Sequence, residues 1–109
     1  MTVKELAARC GFDEITMPDP DREIVGAYIG DLLSWVMGRA SADNAWITIM
    51  SNVNVVAVAS LSDVSCVILA EGVTPEESVI MAAKSKGINM LRSAQPIYGV
   101  AKMLSDIPV

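Results

Sequence analysis

Apolar residues in this chain come in short blocks, and the spacing inside each block alternates between helical and extended periods. Val3, Leu6, Ala7 and Cys10 recur at helical spacing. Thr2 and Glu5 ahead of them have the spacing of a capping box, and Gly11 suits a left-handed C-terminal cap. A short helix over residues 2–10 is expected. Residues 12–17 add a brief extended piece. Pro18-Asp19-Pro20-Asp21 then forms a loop, because two prolines fix φ and remove amide donors.

The pattern next becomes regular. Residues 24–29 are apolar and β-branched enough for a buried strand, which Gly30-Asp31 ends. Leu32, Leu33, Val36 and Met37 follow at helical spacing as far as Gly38. Residues 45–50 read as a second strand closed by Ser51-Asn52. Residues 53–61 suit either strand or helix by composition. Helix is assigned because Asn52 can cap it and the alternation continues. Residues 65–70 form the third strand, with Glu71-Gly72 as its turn. Thr74 as cap, Pro75 at the first helical position and Glu77 three residues after the cap predict a helix to about Lys86, where Gly87 stops it. A short fourth strand over 88–91 leads through Gln95-Pro96 into a last helix striped with Ile97, Val100, Ala101 and Leu104.

Four β–α units in succession imply parallel strands with crossover helices. The expected fold is a three-layer α/β domain: a central, mainly parallel sheet of four to five strands flanked by helices. Nothing resembles an interdomain linker. Residues 1–109 read as one domain, with the short N-terminal helix 2–10 and a core over 23–104.

Composition narrows the function. Eight basic against 13 acidic residues leave a net charge of −5, and the cations are scattered, which argues against nucleic-acid binding. A hydrophobic fraction of 52% in so short a chain leaves apolar surface over, which favours a homodimer. Trp35, one turn into an apolar helix, fits an interface anchor as well as a core position. The N-terminus lacks the charged and apolar regions of a secretory signal, and no apolar run is long enough for a membrane span. Two cysteines, Cys10 and Cys66, make neither a disulfide framework nor a CxxC pair, so a cytoplasmic setting is expected.

Catalytic chemistry is thinly supplied. The chain has no histidine, hence no Ser-His-Asp or Cys-His nucleophile and no His-rich metal site. It has no GxxxxGK[ST] loop and no GxGxxG; Gly26 and Gly30 read as packing and turn glycines. Glu76 and Glu77 suit the first turn of a helix, whereas Asp13, Glu14, Asp19 and Asp21 read as loop charges. Neither a catalytic residue, a cofactor nor a metal is expected.

In a parallel sheet, ligands collect where strand ends lead into helices. That rule selects Gly30-Asp31, Ser51-Asn52-Val53-Asn54, Glu71-Gly72-Val73-Thr74 and Arg92-Ser93-Ala94-Gln95. The candidate ligand-binding residues are Gly30, Asp31, Ser51, Asn52, Glu71, Gly72 and Ser93, with Trp35 as candidate interface residue. Asp31 can serve as helix cap, ligand contact or dimer contact.

These segments also resemble a known family. The run from Val25 through Gly30-Asp31-Leu32-Leu33-Ser34 to Met37 resembles the strand–Ser/Gly-Asp-Leu-Leu-Ser–helix element of DRTGG domains. Residues 45–50 and 55–61 are similar to the strand and helix around that family's signature loop. Val67-Ile68-Leu69-Ala70-Glu71-Gly72 with Thr74-Pro75, and Gly87-Ile88 with Ser93, resemble its later segments. The Asp-Arg-Thr-Gly-Gly signature itself is missing: the loop where it should fall reads Ser51-Asn52-Val53-Asn54-Val55. The resemblance implies a regulatory or assembly module that senses a small-molecule or nucleotide ligand or docks on a partner enzyme. It implies kinship with stand-alone, hydrogenase-associated chains and with the N-terminal domain of HPr kinase/phosphorylase. No kinase activity is carried over. A purely structural subunit, or a phosphoryl-transfer enzyme using Asp31, are the alternatives.

Overall fold

The computed structural model describes residues 1–109. The chain runs α1 (Val3–Cys10), β1 (Asp13–Thr16), β2 (Ala27–Ile29), α2 (Leu33–Arg39), β3 (Ala45–Thr48), α3 (Val53–Ser62), β4 (Cys66–Leu69), α4 (Glu77–Ser85), β5 (Met90–Arg92) and α5 (Ile97–Ser105). One five-stranded sheet has the order β1-β5-β4-β3-β2. β2, β3, β4 and β5 are parallel neighbours, and β1 closes the far edge antiparallel to β5. The expected α/β class and three-layer arrangement are what the chain adopts.

Because consecutive strands are neighbours, every right-handed crossover leads to the same side of the sheet. α2, α3 and α4 therefore line up on one face. Their Val36, Val55, Val56, Ala59, Val79 and Ala83 bury against Trp46, Val67, Leu69 and Met90. α1 and α5 cover the other face, where Val3, Leu6, Val100 and Leu104 meet Ala45, Ile47, Cys66, Ile68 and Leu91. Alternate residues of one strand thus feed two separate cores, as the two-residue period requires. β3 and β4 are buried along their whole length, the mark of central parallel strands.

Local signals explain most boundaries. The capping box forms as expected: the Glu5 amide donates to Thr2 Oγ1 at 3.2 Å and the Thr2 amide to Glu5 Oε1 at 3.0 Å. Asn52 caps α3, accepting from the Asn54 amide at 2.9 Å. Three expectations need correction. The first parallel strand begins at Ala27 rather than 24, because Gly26 sits at φ +72° and breaks the extended run. Thr74 does not cap α4: Pro75 is buried ahead of the helix and Glu76 takes the N-cap position. Asp13 and Glu14 lie on a strand, and Asp13 pairs with Arg92 at 2.8 Å.

The opposite, N-terminal edge of the parallel strands is stapled by Arg22. Its Nη2 reaches Asp43 Oδ1 at 3.0 Å, the Asp63 carbonyl at 2.7 Å and Asp63 Oδ1 at 2.8 Å. Nearby, buried Asn89 binds both backbone groups of Asp19 and the carbonyl of Ser65. These bonds tie the loop over residues 18–22 to the sheet.

Candidate functional site

The four strand-end loops do lie along one edge, but they divide into three separate arrangements. Asp31 belongs to the first. Leu32, with no side-chain cap bond, holds the N-cap position of α2, so Asp31 is not the cap. Its carboxylate turns sideways instead, accepting from Thr48 Oγ1 at 2.7 Å and the Ile49 amide at 3.0 Å. Thr48 is fully buried and in turn accepts from the Met50 amide at 3.2 Å. The aspartate therefore latches the end of β2 to the end of β3. Gly30 beside it serves packing: a Cβ there would stand 2.9 Å from the Tyr28 ring, and its carbonyl accepts from Trp46 Nε1 at 2.9 Å.

The second arrangement joins the loops after β4 and β5. α4 and α5 lie on opposite faces, so these adjacent loops diverge, the geometry that opens a ligand crevice in doubly wound sheets. Here the crevice is laced shut. The Glu71 amide donates to the Gln95 carbonyl at 2.8 Å, and the Gly72 amide to the Ser93 carbonyl at 2.9 Å. Arg92 Nη2 donates to the Gly72 carbonyl at 3.2 Å. Both Glu71 and Gly72 are left-handed, at φ +62° and +72°. The Glu71 carboxylate accepts from the Ile97 amide at 3.1 Å, so this side chain fills the anion position at the start of α5. Ser93 is buried and its hydroxyl accepts from the Gln95 amide at 3.1 Å.

The third arrangement is open. Between the starts of α3 and α4 lies a cleft of about 450 Å³ lined by Ser51, Asn52, Val53, Thr74, Glu76, Ser78 and Val79. The leading amides of both helices (Val53, Glu77 and Ser78) have no intrahelical acceptor there. Hydroxyls of Ser51, Thr74 and Ser78 add donors, and Glu76 supplies a carboxylate. Of the candidate residues, Ser51 and Asn52 line this cleft. Gly30, Asp31, Glu71, Gly72 and Ser93 do not. Glu76 and Ser78 escaped the sequence reading because the Thr-Pro-Glu-Glu pattern sets the helix start two residues early.

Trp35 is 54% exposed, and Arg39 lies 3.8 Å over its ring. The cysteines are not poised for chemistry. Complete burial pushes the Cys66 thiol up to about 12, and partial burial also raises Cys10. No three His, Cys, Asp or Glu side chains gather closely enough to hold a metal ion. No helix is long and apolar enough to cross a membrane.

The family model described as "DRTGG domain" matches residues 25–107. The chain belongs to the DRTGG domain family. Among solved structures, this DRTGG domain is similar to the CBS and DRTGG domains of the regulatory region of Clostridium perfringens pyrophosphatase, crystallised with its activator, diadenosine tetraphosphate. The TM-score is 0.72 at 16% identity, over 99% of this chain and 48% of that one. The DRTGG domain thus spans about half the length of that structure, and at this identity the likeness is one of fold. No curated protein sequence matches it.

Proposed function

We propose that this DRTGG domain is a non-catalytic regulatory module that binds a small nucleotide-class ligand in the cleft between α3 and α4 and works as a homodimer. The observation that carries the reading is the chemistry of that cleft. Helix-leading amides and hydroxyls offer donors to phosphate-type oxygens, while the Glu76 carboxylate suits ligand hydroxyls such as those of a ribose. A ligand carrying both kinds of group satisfies the cleft better than a bare anion, which Glu76 would repel. Family membership and the activator held by the pyrophosphatase regulatory region support ligand sensing. With Asp31 committed to Thr48 and Ile49, nothing at this edge is set up as a base or nucleophile, which disfavours phosphoryl transfer. Docking on a partner enzyme, a hydrogenase subunit included, is the second reading. It draws on the exposed Trp35, Leu32 and Met37 of the α2 segment.

The test is thermal denaturation with diadenosine tetraphosphate, ATP and AMP as probes. A probe at a hundredfold over its Kd stabilises the fold by about 2.7 kcal/mol and raises the melting temperature. Thr74→Val and Ser78→Ala should weaken that rise, and Lys86→Ala, at the far end of α4, should leave it intact. If no probe shifts the melt, or the shift survives both cleft variants, the cleft is not the site.

A further inference from the structure

The two edges of the sheet are built differently. β1 carries Asp13 and Glu14 and its pairing with β5 slips between Glu14 and Thr16. Charge and irregularity of this kind prevent a second strand from adding. β2, at the other edge, has neither. From Val25 to Gly30 the sequence holds no charge and no proline, and Ala27 and Ile29 are exposed.

The backbone of this edge is open in a defined way. The Ala45 amide donates to the Gly26 carbonyl at 3.0 Å, and the Gly30 amide donates to the Ile47 carbonyl at 3.2 Å. Residues 26, 28 and 30 therefore turn their polar groups toward β3, and the alternate residues Ala27 and Ile29 turn theirs outward. Four backbone groups, two amides and two carbonyls, are left along the edge. Beside them runs an apolar groove of about 490 Å³, walled by Ala27, Ile29, Ile47, Leu104 and Ile107.

We infer that a second copy of this chain covers that edge, β2 pairing antiparallel with its own copy about a two-fold axis at Tyr28. The assignment rests on the homodimer part of the preceding reading and says which surface makes it. In this register Ala27 of one protomer faces Ile29 of its partner, so all four outward groups pair within the dimer and the two sheets become one of ten strands. Each Ile29 lies over the small Ala27 of the other copy and enters its groove. A large residue opposite a small one, with a groove to receive it, is self-complementary under a two-fold axis.

Charge favours a second copy at this edge. A chain of net charge −5 repels itself except through an uncharged face, and this edge is one. Val25, Ile29, Leu32 and Trp35 are 61%, 46%, 58% and 54% exposed. Together they hold roughly 250–300 Å² of accessible apolar side chain. The Leu32 and Trp35 share lies at the strand end and on α2, the last helix of its row. An ordinary interface hides about 800 Å² per partner, so this smaller edge makes a dimer that forms and dissociates with concentration.

The experiment combines sedimentation equilibrium with amide hydrogen exchange on the full chain. The wild-type chain should sediment at about twice 11.6 kDa, with the Ala27 and Ile29 amides slowed at least tenfold on going from dilute to concentrated protein. Ile29→Lys should fall to the single-chain mass while keeping its circular dichroism spectrum. As a second variant, Tyr28→Cys in a Cys10→Ser background should oxidise to a covalent dimer, since residues facing across the axis lie about 4.5 Å apart. A wild-type monomer at several hundred micromolar would overturn the homodimer itself. A dimer that survives Ile29→Lys, exchanges Ala27 and Ile29 freely, or fails to cross-link in the Tyr28→Cys variant would overturn this edge alone.

Discussion

Asp31→Ala separates a structural role for this residue from a ligand-binding one. The substitution removes two acceptor contacts, from Thr48 Oγ1 at 2.7 Å and the Ile49 amide at 3.0 Å. Hydrogen bonds to a charged group contribute about 1.5–3 kcal/mol each when buried. Asp31 itself is exposed, and water can replace it at the Ile49 amide, so that bond is discounted to well under about 1 kcal/mol. The Thr48 hydroxyl is fully buried and loses its acceptor, which sets the larger part. A total of about 2 kcal/mol follows, or roughly 8 °C in melting temperature for a domain of this size. Urea denaturation followed by circular dichroism measures the loss directly. Thr48→Val and the double variant complete a cycle in which the two losses should fall short of additive by about 1 kcal/mol. If Asp31→Ala leaves stability unchanged yet abolishes binding of a nucleotide probe, the latch assignment is wrong and Asp31 is a ligand group.

Other outcomes follow from the same bonds. Arg22→Met should destabilise by about 1 kcal/mol, because it unties three chain segments while the solvent-exposed Asp43 and Asp63 carboxylates are taken up by water; the urea midpoint should fall with an unchanged slope. Bonds from the Thr2 backbone and hydroxyl hold the Glu5 carboxyl below its usual range. The unfolded chain therefore protonates Glu5 first as pH falls. The stabilisation is whole above about 4.3 and fades as pH drops through the lower folded value. Glu5→Gln should flatten that part of the acid limb in a stability–pH profile. A thiol reagent at pH 8 should leave Cys66 unmodified until denaturant is added, and prompt labelling would contradict its burial.

What could be read from the sequence was whatever neighbouring residues decide among themselves. Thr2 with Glu5, and Asn52 ahead of Val53, placed their helices because cap and helix are adjacent. The strand–helix alternation implied parallel pairing for the same reason. The start of α4 was misplaced because Pro75 can open a helix or be buried ahead of one, and only packing chooses between them. The strand-end edge was found, but its division into a latch, a laced crevice and an open cleft depends on distant partners. Asp31 meets Thr48 across 17 residues, Glu71 meets Ile97 across 26, and Asn89 meets Asp19 across 70. No periodicity carries such pairings.

The strand order also sets a timetable for synthesis. Each parallel strand docks beside the one made just before it, so β2 to β5 can assemble in the sequence in which they emerge. β1 is the exception, since its Asp13 waits for Arg92, 79 residues later. At ribosomal speeds that delay is roughly 4–16 s. α1 can dock earlier, on Ile24, Ala45 and Ile47, and Val100 and Leu104 of α5 complete its core later. β1 is thus made before the parallel strands yet seated after them, and a nascent chain arrested short of β5 would hold it without a partner strand.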